Sequence, residues 1–409
     1  MTELLLKNLA LLNPEAGKLE PGQQVRVSGD KIVEVSSSVQ QSSDTQIIDL
    51  GGRTLMPGLI DCHNHISREI LAGPPSMLPS MSALRASSVL HDMLMRGFTT
   101  LRDAAGADLG HKQAVELGYV VGPRLFVAGK SISQTGGHGD HRVRADQSEP
   151  CACVHLGPGI GRVADGVAEV RKAVRDEIRL GADQIKMMAS GGIASASDPI
   201  DQLQYSREEM DAIVDEAARS NTYVMAHAYP DAAIRRCIEA GVRTIEHGNM
   251  LSSETAKLMA EKGAYLVPTL VAFRCIQRYG KETGYNEEQM EKNDRVLAAG
   301  TQALLVAKEA GVKVAFGTDI AFWHQHQSEE FLIRGEVLEP AEIIRSATII
   351  GAEVVRMEGR LGVIKPDALA DLIVVDGNPL EDLGLFQDQG AHLPLIIANG
   401  KVVKNSLSR

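Results

Sequence analysis

LMPGLIDCHNHI, residues 55–66, ends an apolar run with two histidines that are separated by one residue. Side chains of an extended strand alternate between its two faces, so His63 and His65 point to the same side. This spacing also arises by chance, and a single strand-end histidine is often only a hydrogen-bonded structural residue. Whether the two histidines have a function therefore depends on which other residues of the chain lie on the same side.

Residues 57–359 repeat a short apolar run followed by an amphipathic helical stretch, such as GVAEVRKAVRDEIRLGA at 166–182. Eight such units are what a (β/α)8 barrel requires, although a doubly wound sheet shares the alternation. The polar stretch 271–300 is longer than a usual connection, which predicts a lid or a packing insertion. The eight apolar runs are GLIDCHNHI, FTTLRDA, RLFVAG, DQIKMMAS, TYVMAHA, RTIEHG, AYLVPTL and KVAFGTD.

The two ends of the chain have a different sequence pattern, in which short β-type runs alternate with turn residues. QQVRVSGDKIVEVSS at 23–37 has a Gly-Asp turn, and PLIIANGKVVKNSL at 394–407 has an Asn-Gly turn suited to a hairpin. Because chain termini often lie close together, both ends are expected to build one small β domain. We therefore predict a discontinuous domain of residues 1–56 plus 360–409 and a central domain of residues 57–359.

Several of the apolar runs end with a residue that could bind a metal ion. In a parallel barrel the carboxyl ends of all strands meet at one face, where the active site forms. Lys186 is unusual, since a lysine cation between apolar neighbours is costly to bury without a partner. Asp319 taken alone has another explanation, as a helix cap. Taken together, the set predicts a metal site made of His63, His65, Lys186, His227, His247 and Asp319.

Composition and charge exclude several classes of function. The formal net charge of −11 gives no basic footprint for nucleic acid. The first thirty residues do not resemble a signal peptide, and no apolar run is long enough for a membrane span. The five cysteines are scattered, and Cys151-Ala-Cys153 is too isolated to indicate a metal knuckle. These features predict a reduced cytoplasmic protein without nucleic-acid or membrane partners.

The motifs PGLIDCHNH, AHA, EHG and GTD, together with Lys186, resemble those of the amidohydrolase superfamily over essentially the whole chain. The resemblance implies a distorted (β/α)8 barrel, a small composite β-sandwich from both termini, and two divalent metal ions, usually zinc. His63 and His65 would bind the more buried ion, and His227 and His247 the more exposed one.

The resemblance also assigns roles to the two remaining ligand candidates. Lys186 would be carboxylated, so that its carbamate bridges both ions. Asp319 would bind the buried ion, accept a proton from the hydroxide that the two metals activate, and deliver it to the leaving amine. The implied reaction is hydrolysis of a C–N amide bond.

Within the superfamily, SISQTGGHGD, IKMMASGGIAS and PDALADLIVVDGNPLED resemble a branch related to imidazolonepropionase. That branch contains prolidase-like dipeptidases, which favours release of the C-terminal residue from dipeptides or N-acyl amino acids of the Xaa-Pro type. Alternatives are a xenobiotic amide or carbamate hydrolase, a cyclic-amide hydrolase of the imidazolonepropionase type, or a catalytically silent scaffold. Lys186 counts against the cyclic-amide reading, because that enzyme type tends to use one metal without a bridging lysine.

Substrate contacts are expected from loops above the metal site. His138, in a Gly-Gly-His-Gly turn, is predicted to steady the carbonyl oxygen or a substrate carboxylate, and Tyr229 to offer its hydroxyl. Arg68 and Arg142 are further candidates for a carboxylate. His324 and His326 form a second His-x-His whose role the sequence leaves open. The expected partner is a small amide or dipeptide, with a homo-oligomer as a possible assembly.

Overall fold

A computed structural model of the chain describes residues 3–40, 45–68, 78–142, 145–146, 161–195, 198–320 and 322–407. Cys151 and Cys153 lie outside these residues. No helix formed by the described residues combines the length and the apolar character that a membrane crossing requires.

The described residues form strands at both ends of the chain and alternating strands and helices between them. The strands are β1 (Glu3–Asn13), β2 (Lys18–Ser28), β3 (Lys31–Ser36), β4 (Thr45–Asp49), β5 (Thr54–Pro57), β6 (Leu59–Asn64), β7 (Phe98–Asp103), β8 (Arg124–Val127), β9 (Ser131–Ser133), β10 (Gly161–Val163), β11 (Ile185–Met188), β12 (Val224–Pro230), β13 (Thr244–Met250), β14 (Tyr265–Val267), β15 (Lys313–Val314), β16 (Leu372–Val375), β17 (Leu395–Ala398) and β18 (Lys401–Asn405). The α-helices are α1 (Pro79–Met95), α2 (Leu109–Glu116), α3 (Gly166–Arg179), α4 (Arg207–Arg219), α5 (Asp231–Ala240), α6 (Ser253–Lys262), α7 (Leu270–Tyr279), α8 (Glu287–Ala310), α9 (Glu329–Gly335), α10 (Pro340–Arg345) and α11 (Gly351–Val354).

Strands from the two ends of the chain share one sheet. Its order is β18-β17-β16-β5-β1-β2-β3, and β4 pairs with β1. The strand β1 pairs with β4 through residues 3–7 and with β5 through residues 10–11, and Asn8 between them has a φ of 55°. Leucines and valines from both ends, including Leu6, Val27 and Leu372, are buried in one core on this sheet.

The central strands form a ring of eight parallel strands. One arc contains β6, β7 and β8, and the other contains β11, β12, β13, β14 and β15, with the short β9 and β10 beside β11. The arcs meet where the Asp183 amide donates to the Val127 carbonyl oxygen at 2.7 Å. They meet again where the Cys62 amide donates to the Phe316 carbonyl oxygen at 2.8 Å. The predicted distorted (β/α)8 barrel is confirmed.

The last barrel strand differs from its sequence prediction. The run KVAFGTD suggests seven extended residues, but β15 spans only Lys313–Val314. Beyond it the chain leaves the ladder with β14, because the Phe316 amide bonds to Ser346 and the Thr318 and Asp319 amides both bond to the His63 carbonyl oxygen. The irregular segment thereby brings Asp319 beside the end of β6.

The long stretch 271–300 forms most of α7, a short 3-10 turn at Lys281–Thr283, and the first half of α8. Both helices pack on the barrel side that carries β13, with Leu270, Phe273 and Val296 in a shared core. From α8, the side-chain Nε2 of Gln289 donates to the Ala194 carbonyl oxygen at 2.7 Å. The segment is therefore a packed part of the wall on the active-site side of the barrel.

Candidate functional site

The two histidines of the DCHNH motif lie at the carboxyl end of β6 and face the same carboxylate. His63 is fully buried and His65 nearly so. The Nε2 atoms of His63 and His65 lie 3.5 Å and 3.1 Å from Asp319 Oδ1. One ligand atom from each of these three residues lies within 4.8 Å of the others. Alternation along β6 and the irregular end of the eighth barrel unit together create this group.

His227 and His247 complete a cluster of four imidazoles. They lie near the carboxyl ends of β12 and β13, and their ring centroids are 4.7 Å apart. The rings of His63 and His247 are 4.9 Å apart, so the four rings form one continuous group. Burial and the charges of neighbouring groups hold the pKa of both His227 and His247 well below the usual value. Both imidazoles are therefore neutral at pH 7, which is the form that binds metal ions.

Each of the four imidazoles uses one nitrogen for a hydrogen bond to the surrounding protein. His63 Nδ1 donates to Glu246 at 2.6 Å, and His65 Nδ1 donates to the Ala105 carbonyl oxygen at 2.8 Å. His247 Nδ1 is bonded with the Thr269 hydroxyl at 2.7 Å. His227 Nε2 donates to the Gly191 carbonyl oxygen at 3.2 Å. In His63 and His65 the other nitrogen, Nε2, faces Asp319, an arrangement like that of metal sites in which outer hydrogen bonds fix the imidazole.

Lys186 lies on β11 at the base of this cluster. It is 1% exposed, and its Nζ lies 3.4 Å from His63 Nε2. Burial lowers the pKa of the Lys186 amine to about 8, although the charges of Glu246 and Asp319 act in the opposite direction. A larger fraction of this amine is neutral at pH 7 than for an ordinary lysine, and the neutral amine is the form that reacts with carbon dioxide.

Asp319 carries the only carboxylate among the described residues that line the pocket. Burial alone would raise its pKa, but hydrogen bonds and charges from His63 and His65 outweigh this effect and hold the pKa well below the usual value. Asp319 and His247 also have positive φ angles, 52° and 71°. Non-glycine residues adopt this conformation at an energetic cost, and such strain concentrates at functional sites.

A buried ion pair that was not predicted from the sequence contacts the histidine cluster through His63. Arg102 on β7 and Glu246 on β13 are both fully buried, with Arg102 Nη2 2.9 Å from Glu246 Oε1. Burial alone would raise the Glu246 pKa, but the Arg102 charge and the His63 hydrogen bond lower it to about 2. Glu246 therefore stays ionised and fixes the His63 ring. The sequence signal for this pair is weak, since Arg102 and Glu246 are charged residues within the strand-forming runs FTTLRDA and RTIEHG, which also hold other polar residues.

The predicted substrate residues His138 and Tyr229 both contact the cluster. The His138 ring stacks on His227 at 4.4 Å, and the Tyr229 ring meets His227 edge-on at 4.6 Å. His138 Nδ1 donates to Ser195 Oγ at 3.0 Å, and that hydroxyl donates to Asp198. Ser195 and Asp198 lie in the loop after β11, and sequence reasoning missed their part in holding His138.

Two other groups of sequence candidates lie away from the described pocket wall. Arg142 is paired with Asp140, with its Nη2 2.6 Å from the carboxylate. His324 is bonded to Asp92 at 3.1 Å and His326 to Glu329 at 2.5 Å. Arg68, by contrast, lines the same pocket as the histidine cluster.

Comparisons with known proteins agree with this geometry. The family model described as "Amidohydrolase family" matches residues 54–403. A solved amidohydrolase shares 48% sequence identity with the chain, covers 100% of both chains and superposes with a TM-score of 0.97. A solved prolidase in complex with N-methylphosphonate-L-proline is 48% identical, covers 99% of this chain and 100% of its own, and has a TM-score of 0.95.

Among curated proteins, ochratoxinase from Aspergillus niger is 35% identical over 352 residues, which are 82% of this chain and 73% of the relative. The family match, the barrel and the ordered set of strand-end residues lead to the same conclusion. The chain is a hydrolase that belongs to the amidohydrolase family, in the branch that includes prolidase-like enzymes.

Proposed function

We propose that the protein hydrolyses the amide bond before the C-terminal residue of dipeptides or N-acyl amino acids, with Xaa-Pro-like substrates preferred. The observation that carries the proposal is the group of four histidines, one lysine and one aspartate, which lines one pocket together with aromatic side chains. The similarity to a prolidase in complex with a derivative of L-proline supports the choice of substrate.

The residues of the cluster fit two divalent metal ions. The four imidazoles suit zinc, which accepts histidine nitrogens as ligands. We propose that His63, His65, His227, His247 and Asp319 would hold zinc, with a carbamate on Lys186 as a further oxygen ligand. Such ions polarise an amide carbonyl and make water a nucleophile at neutral pH.

The chain's own residues carry the proton and orient the substrate. Asp319 accepts a proton from the attacking water and passes it to the leaving nitrogen, because it is ionised and is the carboxylate of the described pocket wall. His138 donates a hydrogen bond to the substrate carbonyl oxygen as negative charge develops there. Tyr229, whose hydroxyl stays protonated because burial raises its pKa, provides a second donor.

A screen of substrates tests this function directly. With the zinc-loaded enzyme, we expect Xaa-Pro dipeptides and N-acyl amino acids to release their C-terminal amino acid, measured by amino-acid analysis. Lactams, carbamates and aryl amides without a carboxylate serve as comparison substrates. Turnover of one of these groups, with no release from any dipeptide or N-acyl amino acid, would contradict the proposed substrate class.

A second candidate function is hydrolysis of a xenobiotic amide. It is favoured by the 35% identity to ochratoxinase, which extends over most of this chain. The aryl amides in the screen distinguish the two candidates, since a detoxifying hydrolase is expected to prefer them to simple dipeptides.

Asp198 offers a test of how His138 is positioned. Asp198 is fully buried, accepts from Ser195 and also receives hydrogen bonds from the Gly192 amide and Gln204. Asp198→Asn keeps the size of the side chain but removes its negative charge. That charge accepts the last hydrogen bond in the series His138–Ser195–Asp198. We expect kcat to fall about 10- to 100-fold, as for other residues that orient catalytic groups, while zinc content stays unchanged.

The matched control for this variant is Asp201→Asn, an exposed aspartate on the same loop. KM and kcat are measured separately for both variants, because general loosening of the loop is expected to raise KM as well. Equal kcat values for wild type and Asp198→Asn at full zinc content would show that Asp198 does not position His138.

A further inference from the structure

A fully buried carboxylate next to the two histidines of β6 does not line the catalytic pocket. It belongs to Asp61, whose Oδ1 accepts from the His63 amide at 3.0 Å. Its Oδ2 accepts from three side chains, which are Nδ2 of Asn64 at 3.1 Å, the hydroxyl of Thr318 at 2.6 Å and Nε2 of Gln327 at 2.9 Å. These three side chains are fully buried as well, so the bonds are shielded from solvent and hold their partners in place.

Two of the four donors are tied to the catalytic groups of the site. Thr318 comes directly before Asp319, and the amides of both residues donate to the His63 carbonyl oxygen at 3.2 and 2.8 Å. Asp61 therefore holds His63 through its amide and the Asp319 segment through the Thr318 hydroxyl. Asp319 has a φ of 52°, a conformation that a non-glycine residue keeps only where its surroundings fix it. The Asp61 carboxylate is one of the groups that fix this backbone.

A third donor gives a role to the segment that carries the second His-x-His. Gln327 directly follows His326 and is fully buried. Its Oε1 accepts from Nε of Arg96 at 3.2 Å, and Nη1 of Arg96 donates to Oε1 of Gln389 at 2.8 Å. A series of hydrogen bonds therefore runs from Gln389, in the C-terminal part of the chain, through these two side chains to Asp61.

An amide cannot replace the Asp61 carboxylate without a conflict. Asn64 and Gln327 present N–H groups to one oxygen, and the His63 amide presents an N–H group to the other. In Asp61→Asn one of the two oxygens becomes an NH2 group, so a donor faces a donor in either orientation. A buried donor without an acceptor is unfavourable, and the variant is expected to relieve it by a shift of the neighbouring segments.

We propose that Asp61 is a positioning residue, which holds the Asp319 carboxylate where it exchanges protons with water and with the leaving amine. Thr318 and Gln327 support it through their hydrogen bonds. The inference rests on the proposed function, in which Asp319 transfers the proton, and it extends that function to buried residues that do not line the pocket.

The decisive experiment compares an N-acyl amino acid with its thioester analogue, in which sulfur replaces the amide nitrogen. When the C–N bond breaks, its electron pair goes to nitrogen, and the amine takes the proton that Asp319 received from water. When the C–S bond breaks, the thiolate leaves with the electron pair and needs no proton. A displaced Asp319 therefore slows release of the amine more than release of the thiolate, whereas general loosening of the site slows both equally.

For zinc-loaded Asp61→Asn, we expect kcat to fall about 100-fold for the amide and no more than about tenfold for the thioester. KM and zinc content are expected to stay near the wild-type values, because Asp61 does not line the pocket and the His63 ring keeps its bond to Glu246. In crystal structures of the metal-free proteins, the distance between His65 Nε2 and Asp319 Oδ1, 3.1 Å here, is expected to be longer in the variant.

Two milder variants test the same role and decide the outcome if Asp61→Asn does not fold. Thr318→Val keeps the branched shape of the side chain and removes its hydroxyl, and Gln327→Met keeps the length and removes the donor. Each deletes one of the four hydrogen bonds to Asp61. The ratio of amide to thioester kcat is therefore expected to fall about three- to tenfold in each.

The matched control is Asp371→Asn. Asp371 is also buried, but it accepts from the Asn399 amide and from Arg124 and does not line the pocket, so its loss is expected to leave the ratio unchanged. If the wild type hydrolyses neither compound, nor any member of the dipeptide panel, the proposed function is wrong. If the wild type is active and Asp61→Asn keeps the wild-type ratio, or Asp371→Asn lowers the ratio as much, the function stands and the positioning role is wrong.

Discussion

Asp319→Asn is expected to lower kcat by about 10²- to 10⁴-fold, the usual contribution of a general acid and base. The asparagine amide keeps the shape of the side chain but can neither accept the proton of water nor return it to the leaving amine. Because Asp319 is the only carboxylate among the described residues of the pocket wall, no neighbouring group there replaces it. Steady-state kinetics on the best dipeptide, with zinc content measured on the same samples, provides the test.

The control for this variant is Asp92→Asn, which removes a half-exposed carboxylate bonded to His324. We expect its kcat and its zinc content to match the wild type. A kcat for Asp319→Asn within about tenfold of the wild type, at equal zinc content, would show that another group transfers the proton.

Lys186→Ala is expected to lose most of its bound zinc and to lower kcat/KM by about three orders of magnitude, the effect of losing several kcal/mol of electrostatic stabilisation. The reason is that the variant lacks the amine from which the proposed carbamate ligand would form. Adding a short carboxylic acid with zinc is expected to restore part of the activity, since the acid supplies the missing oxygen ligand. Lys313→Ala, which removes an exposed lysine paired with Glu353, is the matched control.

A spectroscopic measurement tests the carbamate independently of activity. After incubation with ¹³C-labelled bicarbonate and zinc, the wild type is expected to show a protein-bound carbamate signal in the ¹³C NMR spectrum, and Lys186→Ala none. Identical spectra for both proteins, or full zinc content and activity in Lys186→Ala without any added acid, would rule out the proposed bridge.

The sequence predicted the barrel because the relevant information is local. Apolar runs and helical periodicity identify the units, and a capping box between Ser206 and Glu209, which is a local sequence pattern, begins α4. Strand ends also carry the candidate ligands, so alternation and barrel topology were sufficient to place His63, His65 and His227 near one another. Their binding of metal remains a prediction.

The features that the sequence did not reveal depend on contacts between distant segments. Tyr285 reaches the pocket from a turn between two helices, and Ser195 and Asp198 support His138 from another loop. The shortness of β15 could not be predicted either, because the run KVAFGTD is as apolar as the other strands. Its ladder is interrupted by bonds to His63 and Ser346, which no periodic pattern encodes.

The hydrogen bonds between β6 and the segment after β15 form only when the last barrel unit has folded, so the arrangement of the site depends on a complete barrel. The amides of Thr318 and Asp319 both donate to the His63 carbonyl oxygen, across about 250 residues of intervening chain. A nascent or truncated chain that lacks the eighth unit has His63 and His65 but no opposing carboxylate. Closing so long a loop is entropically costly, and a ligand that binds only the closed ring offsets part of that cost. If zinc binds as proposed, its uptake is expected to depend on circular closure, and a chelator is expected to weaken the bonds between β6 and the segment after β15 before the rest of the barrel.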